Sequence, residues 1–419
     1  MLVLAWLAFA LCLFLAVGQG VVVAAFVAKL RSVRTGPLAG DDELPKAAVI
    51  LALRGPDPYL QEVLAGLLDQ HYPDFRVFVI VDSEHDPVHA DIARAWQANR
   101  CDHVTVAVIE DPLETCSLKC SALIQAVKGL DDSFGVVAFL DGDAPPHRHW
   151  LRDLVRPLAD DRVGVANGNR WFVPGTGGWG SIVRYLWNVG GVVQVWLNGI
   201  TWAGSMALRR DTIVQTDLLS AWSTALSVDG TVIRQLAQHR LKVHFVPSVV
   251  MINREEIGHN QFVRWVQRQL VAAKSCGNRW FTVAAHAVNL VGTQLLAILV
   301  VVLAIFRNAT FEFSLAAVGL ALYWGSATLC VLATEWGMRH VARLNGQPFR
   351  WTTWRIPILL FPGILWTQVA YVMAICGACL RRHVHWRGIR YDIEGVGKVR
   401  MAKYLPYQTE DQGTNESVV

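Results

Sequence analysis

The sequence predicts an α/β domain built on a mostly parallel βαβ sheet and flanked by α-helical transmembrane segments. Three observations carry this. Short β-rich runs alternate with helix-like stretches between residues 46 and 255, the pattern of βαβ units. Long apolar stretches lie on both sides of that region. Hydrophobic residues make up 53% of the 419-residue chain and charged residues only 17%, too apolar a balance for a soluble domain alone. The net charge of +4 gives no ground for a nucleic-acid partner, and none is expected.

Residues 1–29 form an apolar anchor followed by Lys29, Arg31 and Arg34, a basic flank that belongs on the cytosolic side. Residues 30–45, with Gly36, Pro37, Gly40, Pro45 and an acidic run, read as a linker. Within 46–255 the runs AVILAL (48–53), RVFVIV (76–81), VTVAVI (104–109) and GVVAFL (135–140) are strands, and 58–69, 87–98 and 117–129 are helices. Residues 256–280 form an amphipathic interfacial helix. Segments 281–306, 312–334 and 356–380 are each long enough to cross a bilayer. A basic segment and polar tail, disordered from 404 onward, make up 381–419. The expectation is a multi-pass integral membrane protein with its α/β domain in the cytoplasm. Three spans after that domain put the tail outside, yet seven Lys and Arg residues in 381–403 favour the inside. A re-entrant hairpin broken at Pro362-Gly363 reconciles the two.

In open α/β sheets ligands bind where strands end. GVVAFL ends in Asp141-Gly142-Asp143, two carboxylates that can share Mg²⁺ or Mn²⁺ with a diphosphate. RVFVIV ends at Asp82; Asp82 or Asp86 can accept from a base or ribose, although Asp86 before Pro87 equally suits a helix cap. Asp229 opens a helical stretch and can serve as a general base or as a cap. Along HNQFVRWVQRQLV, a spacing of 100° per residue groups Gln261, Arg264, Trp265 and Arg268 beside an apolar face of Phe262, Val263, Val266 and Leu270. Such a helix suits the bilayer surface, with its arginines turned to a diphosphate. The close pairs Cys116/Cys120 and Cys376/Cys379 read as small buried apolar groups.

Together these pieces resemble the membrane-bound family 2 glycosyltransferases, above all the ceramide-glucosyltransferase-type lipid enzymes. That family carries three spaced aspartates followed by (Q/R)xxRW, matched here by Asp82 or Asp86, Asp141, Asp229 and Gln261-Phe262-Val263-Arg264-Trp265. AGSMALRR and WRGIRY resemble its acceptor-side and C-terminal segments.

The resemblance implies a GT-A-like, nucleotide-binding fold and an inverting transfer of a hexose from a UDP-sugar to a lipid hydroxyl at the cytosolic membrane face. It implies that Asp82 or Asp86 holds the uridine, that Lys119 reaches the donor, and that Asp141 and Asp143 position metal and diphosphate. Asp229 becomes the base; Gly204, Ser205, Gln261, Arg264 and Trp265 serve the diphosphate and the acceptor. Val228 departs from the pattern, since many relatives have an acidic residue before the third aspartate. Two alternatives compete: a processive polysaccharide synthase, for which four spans are few, and a catalytically silent membrane scaffold.

Overall fold

A computed structural model describes residues 1–34, 36, 40, 43–96, 103–277 and 280–407. Parts of the predicted linker, the end of the stretch 87–98 and the tail beyond 407 lie outside the described residues. The elements begin with α1 (Leu2–Arg31), β1 (Ala47–Leu53), α2 (Leu60–Leu68), β2 (Phe75–Val81), α3 (Val88–Trp96), β3 (Val104–Val108), α4 (Leu118–Lys128) and β4 (Val136–Leu140). There follow α5 (Trp150–Val155), β5 (Val163–Phe172), α6 (Trp179–Asn198), β6 (Ser205–Arg209), α7 (Arg210–Gln215), α8 (Leu218–Trp222), α9 (Val228–Gln238), β7 (Lys242–Asn253) and α10 (His259–Ser275). The chain ends with α11 (Trp280–Phe306), α12 (Thr310–Leu344), α13 (Arg355–Leu380), β8 (His383–Trp386), β9 (Ile389–Gly395) and β10 (Lys398–Lys403).

Seven strands form one sheet in the order β3-β2-β1-β4-β6-β5-β7. The β1–β2, β2–β3 and β1–β4 pairs are parallel, β6 runs antiparallel to β4 and β5, and β7 pairs parallel to β5. This is a GT-A-like mixed sheet. Successive strand residues point to opposite faces, so Ala48 and Ile50 pack with α4 and α8 while Val49 and Leu51 pack with α2 and α5. Burial on both faces is why these strands read as continuous apolar runs rather than alternating ones.

Among the described residues, four helices are long and apolar enough to cross a membrane: α1, α11, α12 and α13. α1 and α12 run in the same direction, with Gly319 admitting Phe9 and Cys12 and Gly337 admitting Val27 and Leu30, a close approach that small residues permit. α11 joins them through Ala297 and Val300.

α13 behaves differently from the hairpin expected at Pro362-Gly363. It is one helix with Pro362 inside, and both of its ends touch the α/β domain. Before its first turn, Thr352 Oγ1 donates to the Gly175 carbonyl. At its last turn, Lys274 Nζ on α10 donates to the carbonyls of Ala378 and Cys379 at 3.0 and 2.8 Å. Between these points Gly363 lies against Ile182 and Leu186 of α6, and Trp366 packs on His259 of α10. The helix therefore packs along the domain, and the β8-β9-β10 sheet that follows it also contacts the domain, through Arg387.

Candidate active site

The strand ends converge on one cavity of about 1070 Å³. Asp141 and Asp143 stand at the end of β4, partly buried, with side chains 23% exposed. Lys119 on the first turn of α4 ion-pairs with Asp141. It is placed there by Ser117, whose hydroxyl caps the helix by accepting from the Cys120 amide at 3.2 Å. Arg170, near the end of β5, reaches both acids. Its Nη2 donates to Asp141 Oδ2 at 3.2 Å and to Asp143 Oδ1 at 2.9 Å, while Nη1 lies 2.8 Å from Asp143 Oδ2. The guanidinium also lies over the Trp202 ring at 4.6 Å.

The two acids differ in electrostatics. Burial pushes both upward; for Asp141, the charges of Lys119 and Arg170 outweigh it and hold the carboxyl below its usual range. For Asp143, burial wins over Arg170, aided by the charges of Asp141 and Asp57, and the carboxyl is raised.

Asp229 lies in the first turn of α9, which Ser227 caps. The Ala203 amide donates to its carboxylate, and Thr201 Oγ1 donates to its carbonyl at 2.9 Å. Burial, opposed by Lys119, pushes this carboxyl up to about 6. Gly204 has no room for a side chain, because a Cβ would meet Trp202 and Asp141; its carbonyl accepts from the Asp141 amide at 3.2 Å.

Of the residues singled out in the sequence, Asp82, Lys119, Asp141, Asp143, Gly204, Asp229 and Trp265 line this cavity, and Asp86, Ser205, Gln261 and Arg264 do not. Asp86 caps the chain before α3, accepting from Gly55 and Val88 amides at 2.8 and 3.1 Å. Ser205 turns into the core and accepts from Trp150 Nε1 at 2.8 Å. Gln261 closes the start of α10 by accepting from the Gly258 amide at 2.7 Å, and Arg264 is exposed. The cavity thus meets only part of the predicted face of α10, keeping Trp265 and Arg268 and leaving out Gln261 and Arg264. Because Phe262, Val266, Leu270 and Val271 are buried, the stripe facing the cavity is Trp265, Arg268 and Gln269. Trp265 meets Phe172 edge-on at 5.7 Å, and Arg268 lies 5.2 Å over Trp386. Burial, with Arg387 and Arg170 nearby, lowers Arg268 to about 10.

Sequence reasoning passed over Arg54, Asp57, Arg170 and Arg387. Arg387 lies in WRGIRY, at the two-residue turn between β8 and β9, where Arg387 and Gly388 both have positive φ (47° and 75°), as such a hairpin requires. Its guanidinium donates to Asp57 Oδ2 at 3.0 Å and to the Arg54 carbonyl at 2.6 Å, which clamps the small sheet onto the end of β1. Arg54 in turn ion-pairs with Asp82. Asp82 also accepts from Tyr404 Oη at 3.0 Å and from the Tyr407 amide at 2.6 Å. The tail expected to be disordered from 404 is, over 404–407, bonded to the rim of the cavity.

An acid pair, a raised carboxyl and a ring of cations thus stand together at the ends of a mixed sheet. The chain belongs to glycosyltransferase family 2: the family described as "Glycosyltransferase like family 2" matches residues 45–269. Glycosyltransferase AglE of Haloferax volcanii is 26% identical over 136 residues, 32% of this chain and 42% of AglE; the match spans less than half of that relative's length. Among solved structures, mannosyltransferase PcManGT from Pyrobaculum calidifontis, in complex with GDP-Man and Mn²⁺, aligns at 16% identity and TM-score 0.47 over 89% of this chain and 99% of that one. Glucosyl-3-phosphoglycerate synthase from Mycobacterium tuberculosis, with Mn²⁺, UDP and phosphoglyceric acid, aligns at 14% identity and TM-score 0.38 over 59% and 85%.

Proposed function

We propose that this glycosyltransferase moves a hexose from a UDP-sugar to the hydroxyl of a membrane lipid, ceramide-, hopanoid- or glycerolipid-like, in one inverting displacement at the cytosolic membrane face. One observation carries the reading. The cavity that holds Asp141, Asp143 and Asp229 continues between Phe14 and Val22 of α1, Leu290 of α11, Val331 of α12 and Ile364 of α13. Charged groups at one end and apolar helices at the other suit an acceptor with a polar head and a hydrocarbon tail. In this reading α1, α11 and α12 cross the bilayer, and α13 lies along the interface with Ile358, Phe361, Val369 and Met373 exposed to lipid.

Asp229 takes the proton of the acceptor hydroxyl, and a carboxyl near 6 is matched to that task at neutral pH. Lys119, Arg170, Arg268 and Arg387 surround the position where charge gathers on the leaving diphosphate. Asp141 and Asp143 fit Mg²⁺ or Mn²⁺: they offer oxygen donors only, face the cavity, and among the described residues belong to no larger cluster of metal-binding side chains. Asp141 and Asp143 would hold such an ion through their carboxylate oxygens. When bound, it neutralises charge on the diphosphate.

The test is thin-layer chromatography of lipids from cells with and without the protein, supplied with a panel of UDP-sugars and GDP-mannose. A sugar-labelled lipid found only with the protein, from a UDP donor, supports the reading. Long water-soluble polymer points instead to a processive synthase; failure of the protein to bind any nucleotide sugar points to a scaffold.

A further inference from the structure

The acid pair carries a cation of its own. Arg170 spans Asp141 and Asp143 with three contacts of 2.8 to 3.2 Å. A guanidinium fork is shaped for such bridging, and it is held between the acids by the Trp202 ring on one side. Its Nε is buried without a partner, so the site does not use the group's full donor capacity.

Around the cavity the charges nearly balance: Asp57, Asp82, Asp141, Asp143, Asp229 and Glu255 line it with Arg54, Lys119, Arg170, Arg268 and Arg387, six acids against five bases. A bare divalent cation entering this set has to sit beside a guanidinium within a few ångströms, a repulsion worth several kcal/mol at an effective dielectric near ~20. A diphosphate adds about two negative charges, so cation and diphosphate entering together leave the site's total charge unchanged.

We propose that Arg170 is the resident counter-cation of the Asp141–Asp143 pair and yields that place to the divalent ion only as the diphosphate arrives. The displaced guanidinium then turns to the diphosphate. Arg170 holds the acid pair until the donor arrives and then contacts the donor, which makes metal and donor bind as a unit. The inference rests on the placement of the donor and metal proposed above.

The experiment is Mn²⁺ binding to the full-length protein in detergent, read by electron paramagnetic resonance, with no nucleotide and then with UDP or GDP. Wild type is expected to bind Mn²⁺ weakly alone and at least about tenfold more tightly with a nucleoside diphosphate. Arg170→Gln, its fold checked by thermal unfolding, is expected to bind Mn²⁺ alone about tenfold more tightly than wild type and to lose most of the nucleotide's effect. Arg170→Lys keeps the charge without the fork and gains less. If neither variant binds bare Mn²⁺ more tightly than wild type, while nucleotide still promotes binding in wild type, the counter-cation role is overturned and the donor site stands. If nucleotide never promotes Mn²⁺ binding, both fall.

Discussion

In the proposed reaction Asp229 is the base, and its environment sets a pH window. Its carboxyl is raised by burial to about 6; as a base it works only when ionised. kcat/KM is therefore expected to rise with pH through about 6 and then level off, and Asp229→Asn should lower it by roughly 10²–10⁴ at pH 7.5. A profile flat down to pH 5 would remove Asp229 from this role. The same raised value means that ionising Asp229 opposes folding, so its contribution to stability falls as pH rises from 4 towards 6. On α10 the two arginines part company. Arg268 sits in the cavity wall and Arg264 in solvent. Arg268→Ala should cost about 10²-fold in kcat/KM, as the loss of a preorganised donor to a leaving group does. Arg264→Ala should stay within about twofold, as a surface change does. Steady-state kinetics on both variants reverses the assignment if the losses are exchanged.

At the scale of elements, α13 offers a direct check. Cysteines placed at Thr353 and at Arg381, one at each end of the helix, should react with a membrane-impermeant maleimide from the same side of sealed vesicles. Labelling from opposite sides would make α13 a span. The first four strands and the helices between them were legible, to within one or two residues wherever the described residues reach, because β1 and β4 are buried on both faces and β2 and β3 are apolar at nearly every position. α6 was not. WGSIVRYLWNVGGVVQVWLN has the valines and tryptophans of a strand and a Gly pair of a turn, and it becomes a helix by packing on α10 and α13. The acid pair and Asp229 were visible because they end or open regular elements. Arg170 was hidden because an arginine inside a strand looks like any solvent-facing residue until its neighbours are known. The part of α10 that meets the cavity was hidden because helical spacing tells which residues share a face but not what that face meets.

Across the whole molecule, residues far apart in sequence are tied to one cavity: α1 supplies part of its apolar wall, and the turn at Arg387 supplies part of its charged one. The C-terminal segment extends this. In the proposed donor placement a pyrimidine docks at Asp82, where the chain's own peptide stands. The Tyr407 amide donates to Asp82, the Tyr407 carbonyl accepts from Ser83 Oγ at 2.8 Å, and Arg54 donates to the Leu405 carbonyl at 3.0 Å. An N–H beside a C=O is also what the edge of uracil presents. A base entering there has to evict this mimic, so part of its binding energy goes to opening the chain. Ending the protein at Lys403 should therefore tighten UDP binding several-fold in calorimetry, and weaker binding would make the segment a wall of the pocket instead. In the mimic reading Tyr407 is the latch of the proposed nucleotide pocket, so a group fused directly after it would shift the nucleotide affinity measured.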